Sequence, residues 1–217
     1  MSDDEAVRDP LGDVQMMIQA GQKEKAQDML KALILEMPAG WTPIDRTGEE
    51  VVAAFWDMTE FMAYIERHKE VDPHRKLVWR GISYSKALYL TAFLAVERRD
   101  WNTALEYLDA GLELEPDHPV LLSEKAMVLG SLKKHGESYE LYLKAASSRP
   151  WSPITQRGRA IRGAGMQMID LGRLDEAERI LRQSLELEPN SEVAQNELLY
   201  IAALRRGDKP DDDYQIR

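Results

Sequence analysis

The sequence predicts an all-α fold: a solenoid of antiparallel helix pairs with a C-terminal capping helix. Three observations predict it. One pattern is written four times, as AQDMLKALILEMP (26–38), ALEYLDAGLELEP (104–116), SYELYLKAASSRP (138–150) and AERILRQSLELEP (177–189). A matching partner pattern lies upstream of the last three. Apolar residues make up 44% of the chain and are mostly Ala and Leu, with few β-branched runs, which favours helix over strand.

Each of the four stretches opens on a small residue: Ala26, Ala104, Ser138 or Ala177. A large apolar residue follows four positions on, at Leu30, Leu108, Tyr142 and Leu181. Proline closes each at Pro38, Pro116, Pro150 and Pro189, and bars the residue before it from the α region, so the helix stops there. The last three prolines are 34 and 39 residues apart, a period typical of helix–turn–helix repeats. Twelve residues before the small residue stands another, at Ala92, Ala126 and Gly165, with Leu88, Leu122 and Ile161 one turn earlier. Two helices with axes ~8–10 Å apart need small side chains where they cross. The predicted crossings are therefore Ala92 on Ala104, Ala126 on Ser138 and Gly165 on Ala177.

Taken in order, residues 1–6 read as a disordered acidic N-terminus. Residues 7–40 read as a diverged helix pair. Ala26, Leu30 and Pro38 fit, Val14 and Leu33 stand where small residues belong, and Pro10 falls inside the first helix. Residues 41–84 break the pattern and read as a helical insertion or degenerate repeat. Thr47 and Glu50 are spaced as a capping box, and Val51, Phe55, Met58, Met62 and Ile65 follow at helical spacing. Asp72–Pro73 is the next start signal, for a helix running through Trp79 with a break at Gly81. Repeats follow at 85–118, 119–152 and 158–191, then the capping helix at 192–206 and a disordered tail at 207–217.

Composition removes several functions. The net charge of −10 argues against nucleic-acid binding. With no cysteine there is no disulfide, thiolate metal site or cysteine nucleophile. The N-terminus has no apolar signal region, and no run is long enough to span a membrane, so a cytoplasmic protein is expected. His68, His74, His118 and His135 show no zinc-type spacing, and RGRAIRGAG (157–165) lacks the strand and the Lys-Ser/Thr of a phosphate loop. His68 and His74 read as exposed histidines at a helix end. No catalytic set, metal or cofactor is expected, and the chain reads as not an enzyme.

The repeated small residue, the Leu or Tyr, the second small residue (Gly111, Ala145, Ser184), the proline and the turn glycines Gly21 and Gly172 resemble the tetratricopeptide repeat (TPR) family. The resemblance implies a protein–protein interaction module whose first helices line a concave groove that holds an extended peptide segment of a partner. The family's groove positions fall here on Lys86, Tyr89, Phe93 and Val96; on Val120, Ser123, Met127 and Gly130; on Arg159, Arg162, Met166 and Ile169; and on Asn196 and Tyr200. Of these, Lys86, Tyr89, Phe93, Met127, Arg159, Arg162, Met166, Asn196 and Tyr200 are the expected partner-binding residues.

Methionine suits varied partners, and arginine can grip a carboxylate through two hydrogen bonds, so an acidic segment fits. No acid lies between Glu140 and Asp170, while Lys144, Arg149, Arg157, Arg159 and Arg162 do. The bland reading of these arginines is solvation, or pairing with acids such as Glu124 on a neighbouring helix. The chaperone-binding carboxylate clamp of some members is not expected, because Tyr89 and Phe93 stand at its first Lys and Asn positions. A second reading makes the chain a structural, self-associating protein. A homo-oligomer would then form through the aromatic-rich 41–84 segment, with Trp41, Phe55, Trp56, Phe61, Tyr64 and Trp79.

Overall fold

A computed structural model of the chain describes residues 9–208. The expected disordered ends, 1–6 and most of 207–217, lie outside the described residues. The chain divides into two compact units, 1–116 and 117–217. It has the all-α, helical-repeat solenoid fold class, with a capping helix, α10 (Glu192–Arg206).

In the N-terminal unit, α1 (Pro10–Gln19) packs on α2 (Lys23–Leu35), and α2 packs on α4 (Tyr84–Glu97), which pairs with α5 (Trp101–Leu114). Pro10 does not interrupt a helix. It is the first residue of α1, where its missing N–H is harmless, and Asp9 caps it by accepting from the N–H groups of Leu11 and Gly12. Leu11, Val14, Ala26, Leu30, Leu33, Ala87, Leu90 and Leu94 form one core.

In the C-terminal unit, α6 (Pro119–Ser131) pairs with α7 (His135–Ser147), and α8 (Ile154–Asp170) with α9 (Leu174–Leu187). The crossings expected from small residues are tight. Ala92, Ala104, Ala126, Ser138 and Ala177 are buried. The Ser138 hydroxyl donates to the Ala126 carbonyl oxygen at 2.6 Å. A Cβ on Gly165 would lie 2.8 Å from Cγ of Leu181.

The turns inside the four helix pairs share one geometry. Gly21, Arg99, Lys133 and Gly172 all have φ between 58° and 74°. In each turn this residue's N–H bonds back three residues and the next N–H back five, for example Arg99 N to Val96 O at 2.8 Å and Asp100 N to Ala95 O at 2.9 Å. Two of the four positions adopt the left-handed conformation without glycine. α10 ends the same way at Gly207.

Residues 41–84 depart most from expectation. The helix expected from Thr47 is absent, because Thr47 instead donates its N–H and hydroxyl to Asp45 Oδ1. β1 (Ile44–Asp45) pairs antiparallel with β2 (Val51–Ala53), and β2 pairs parallel with β3 (Leu77–Trp79). The helix is α3 (Met58–Val71), capped by Asp57 accepting from Glu60 N at 2.9 Å. The helix expected at Asp72–Pro73 is a turn. Arg75 pairs there with Asp72 and donates to the carbonyl oxygens of Arg46 and Gly48, which holds the chain for β3. His68, expected to be exposed, is buried, and its Nε2 bonds the Arg75 carbonyl oxygen at 2.8 Å.

Candidate functional site

In the N-terminal unit the sequence places Lys86, Tyr89 and Phe93 on one stripe of α4. The structure lays the chain's own Trp56 on that stripe. Every polar group of Trp56 is used. Its N–H donates to Glu60 Oε2 at 2.8 Å, its carbonyl oxygen accepts from Lys86 Nζ at 2.6 Å, and its indole Nε1–H donates to Ser85 Oγ at 3.0 Å. Ser85 passes the chain of bonds to the Glu115 carboxylate. The indole lies on Tyr89 with ring centroids 5.0 Å apart. Lys86 is only 9% exposed, and burial lowers its ammonium pKa, against the pull of Asp9, Asp57 and Glu60. Phe93, two turns on from Lys86, is half-buried.

The aromatics of 41–84 face mostly inward. Phe55 meets Phe61, Tyr64 and Trp79 at centroid distances of 5.4, 5.3 and 5.8 Å, and Trp41 meets Tyr84 edge-on at 5.3 Å. Arg46 Nη2 donates to the Tyr64 hydroxyl at 2.5 Å. The large apolar residues this segment leaves exposed include Met58, Met62, Val71 and Trp79. Of the aromatics read from sequence as a self-association surface, Phe55, Trp56 and Tyr64 are buried, Trp41 and Phe61 are half-buried and Trp79 is exposed.

In the C-terminal unit α8 touches α6 and α10, so the helices carrying Met127, Arg159, Arg162, Met166, Asn196 and Tyr200 are neighbours. Arg159, Arg162 and Met166 share one stripe of α8 by their spacing. Met127, Met166 and Tyr200 are half-buried and Asn196 is exposed. Ser123 and Ile169, also at family groove positions, are buried.

The basic island is largely tied down. Arg149 pairs with Asp117 at 2.8 Å and lies over Trp151. Arg157 Nε donates to the Ala146 carbonyl oxygen at 3.3 Å. Arg162, only 15% exposed at its side chain, pairs with Glu188. Arg159 pairs with the buried Glu124 at 2.5 Å yet keeps 55% of its side chain exposed. The structure thus favours the pairing reading for most of these arginines, while Arg159, like Lys144, keeps an exposed side chain. Beneath it, Tyr142 is buried, and burial, then Glu124, pushes its phenol up to about 12 against the opposing Arg159. Gly163 makes room for that ring, since a Cβ there would lie 2.5–2.7 Å from its Cζ and Cδ1.

Sequence reasoning missed Trp56 as the occupant of the α4 stripe. Its one local signal was the Asp57-x-x-Glu60 spacing just after it, which marks the true start of α3.

A family model described as tetratricopeptide repeat matches residues 169–191. No curated protein matches the sequence. Among solved structures, one reported in a functional characterization of Pseudomonas aeruginosa PilF is 16% identical, covering 91% of this chain and 68% of its own, at a TM-score of 0.61. A MamA RS-1 double mutant is 16% identical over 94% of this chain and 88% of its own, at 0.56. The first TPR of Spaghetti (RPAP3), bound to the HSP90 peptide SRMEEVD, is 24% identical over 56% of this chain and 93% of its own, at 0.50.

Proposed function

We propose that the chain is a protein-interaction module of the tetratricopeptide-repeat kind that holds an extended segment of a partner protein. The observation that carries this reading is the row of neighbouring helices α6, α8 and α10, which keep Met127, Arg159, Met166, Asn196 and Tyr200 accessible instead of committing them to the core. The mixture suits a segment with apolar and acidic side chains. Methionine and tyrosine supply adaptable contact area, and the open face of Arg159 supplies a charge-assisted grip. That a similar TPR was solved with an acidic peptide supports the same chemistry. The expected residues of the N-terminal unit contribute differently, because Trp56 already covers Lys86 and Tyr89.

The test is selection of linear peptides from a displayed library on the whole chain, with binding then measured to Arg159→Ala, Met166→Ala and Tyr200→Ala. Each variant is expected to weaken binding about 5- to 30-fold, the range for losing one useful contact of 1–2 kcal/mol, with circular dichroism unchanged. Unaltered affinity in all three, or no peptide selected, would sink the reading. Arg162→Glu is a poor probe, because it would set two acids together at Glu188.

A further inference from the structure

The N-terminal unit holds a cavity of about 670 Å³, in the size range of pockets that bury a ligand or a large side chain. Its apolar walls include Leu11, Phe55, Trp56, Met58, Trp79 and Ile82. Three helices begin at its edge: α1 at Pro10, α3 at Met58 and α4 at Tyr84. Helix starts favour negative charge. Two of them already have it. Asp9 Oδ1 accepts from Leu11 N and Gly12 N at 3.2 and 3.0 Å, and Asp57 Oδ1 accepts from Glu60 N. The third start, at α4, is capped only by the neutral Ser83 hydroxyl.

Two cations line the same cavity. Lys86 is nine-tenths buried, and its ammonium makes one hydrogen bond among the described residues, to the Trp56 carbonyl oxygen. An ammonium has three hydrogens, so two can still be donated. Arg80 is 67% exposed and only loosely paired, 3.7 Å from Glu50. The two lining acids are thus engaged with backbone N–H groups, while both cations can take a further acceptor.

We propose that this cavity receives a large apolar side chain from an extended segment of a partner protein, with an adjacent acidic side chain of that segment bound by Lys86 and Arg80. The proposal rests on the interaction reading above and adds a pocket built by the inserted segment between the repeats. The apolar group gains from leaving water against aromatic and methionine walls. The carboxylate gives the buried ammonium, which already feels Asp9, Asp57 and Glu60, a directly bonded acceptor, and gives Arg80 a two-pronged partner.

Three blocked dipeptides serve as probes in a titration of the ¹⁵N-labelled full chain: acetyl-Asp-Phe-amide, acetyl-Asn-Phe-amide and acetyl-Asp-Ala-amide. The first is expected to shift the amide signals of Met58, Gly81 and Ser83. It should bind at least about tenfold tighter than either of the others, as loss of a charge-assisted bond or of a buried ring predicts. Arg80→Gln should shrink the Asp-over-Asn preference several-fold and leave Asn-Phe binding alone, and Lys86→Met should abolish the preference. If Lys86→Met does not fold, Arg80→Gln decides the charge and Met58→Ala, which should weaken both Phe probes, decides the wall. Equal binding of the Asp and Asn probes would overturn the anionic part, and equal binding of the Phe and Ala probes the apolar part. Shifts confined to Met127, Met166 and Tyr200 would overturn this pocket while leaving the interaction reading standing.

Discussion

Replacing Trp56 by alanine should release the inserted segment from the repeats. The indole is buried, rests on Tyr89 and donates to Ser85, while the same residue's backbone bonds Glu60 and Lys86. Trp→Ala in a core costs about 3–5 kcal/mol, of which the indole hydrogen bond accounts for about 1. Trp56→Phe keeps most of the ring and loses the donor and some volume, so about 1–2 kcal/mol is expected. Ser85 is not left orphaned in either variant, because Ser83 and Glu115 remain within reach. Denaturant unfolding measures the total. Native-state hydrogen exchange locates it, through the amides of Val51 and Arg80, which bond Lys76 and Ala53 across the sheet. In Trp56→Ala those amides should exchange at least about a hundredfold faster, while Leu90 and Leu94 in the α4 core keep their protection. A loss below about 1 kcal/mol, or equal loss in the two variants, would refute the view that packing of this one ring docks the segment.

Gly163→Ala should cost about 1–3 kcal/mol in thermal or denaturant unfolding, because the new methyl meets the Tyr142 ring; Tyr142→Leu in the same background should recover part of it. Lys133→Gly should stabilise by about 0.5–1 kcal/mol and Gly172→Ala should destabilise by a similar amount, since both residues hold the same left-handed turn; denaturation midpoints read both. The Tyr142 phenol, raised to about 12 in the folded chain, ionises earlier when unfolded. Its contribution is complete below about pH 10 and is lost as pH rises toward 12, by roughly 2–3 kcal/mol. Tyr142→Phe should flatten that part of the stability-versus-pH curve.

The helix pairs were legible because their cause is local and repetitive. A small residue must stand where two helices cross, and a proline must stop the second helix, so Ala92, Ala104, Ala126 and Ser138 declare themselves by spacing alone. The left-handed turns at Arg99 and Lys133 carry no such mark. Glycine would have announced them, and instead the packing of the flanking helices imposes a conformation that the residue itself disfavours.

The inserted segment lay beyond sequence for a different reason. Val51–Ala53 is too short to show a period, and Thr47–Glu50 imitates a cap. What makes 51–53 a strand is hydrogen bonding to Ile44 on one side and Leu77 on the other, residues that only the fold brings together. The candidate sites divide in the same way. Sequence by itself determined which helices carry Lys86, Tyr89, Arg159 and Met166, because helical periodicity assigns stripes. Only the tertiary structure decided what each stripe meets: Trp56 over Lys86 and Tyr89, Glu188 against Arg162, and solvent over the outer face of Arg159. Periodicity is a property of one helix, whereas occupancy and charge pairing depend on groups far apart in the chain.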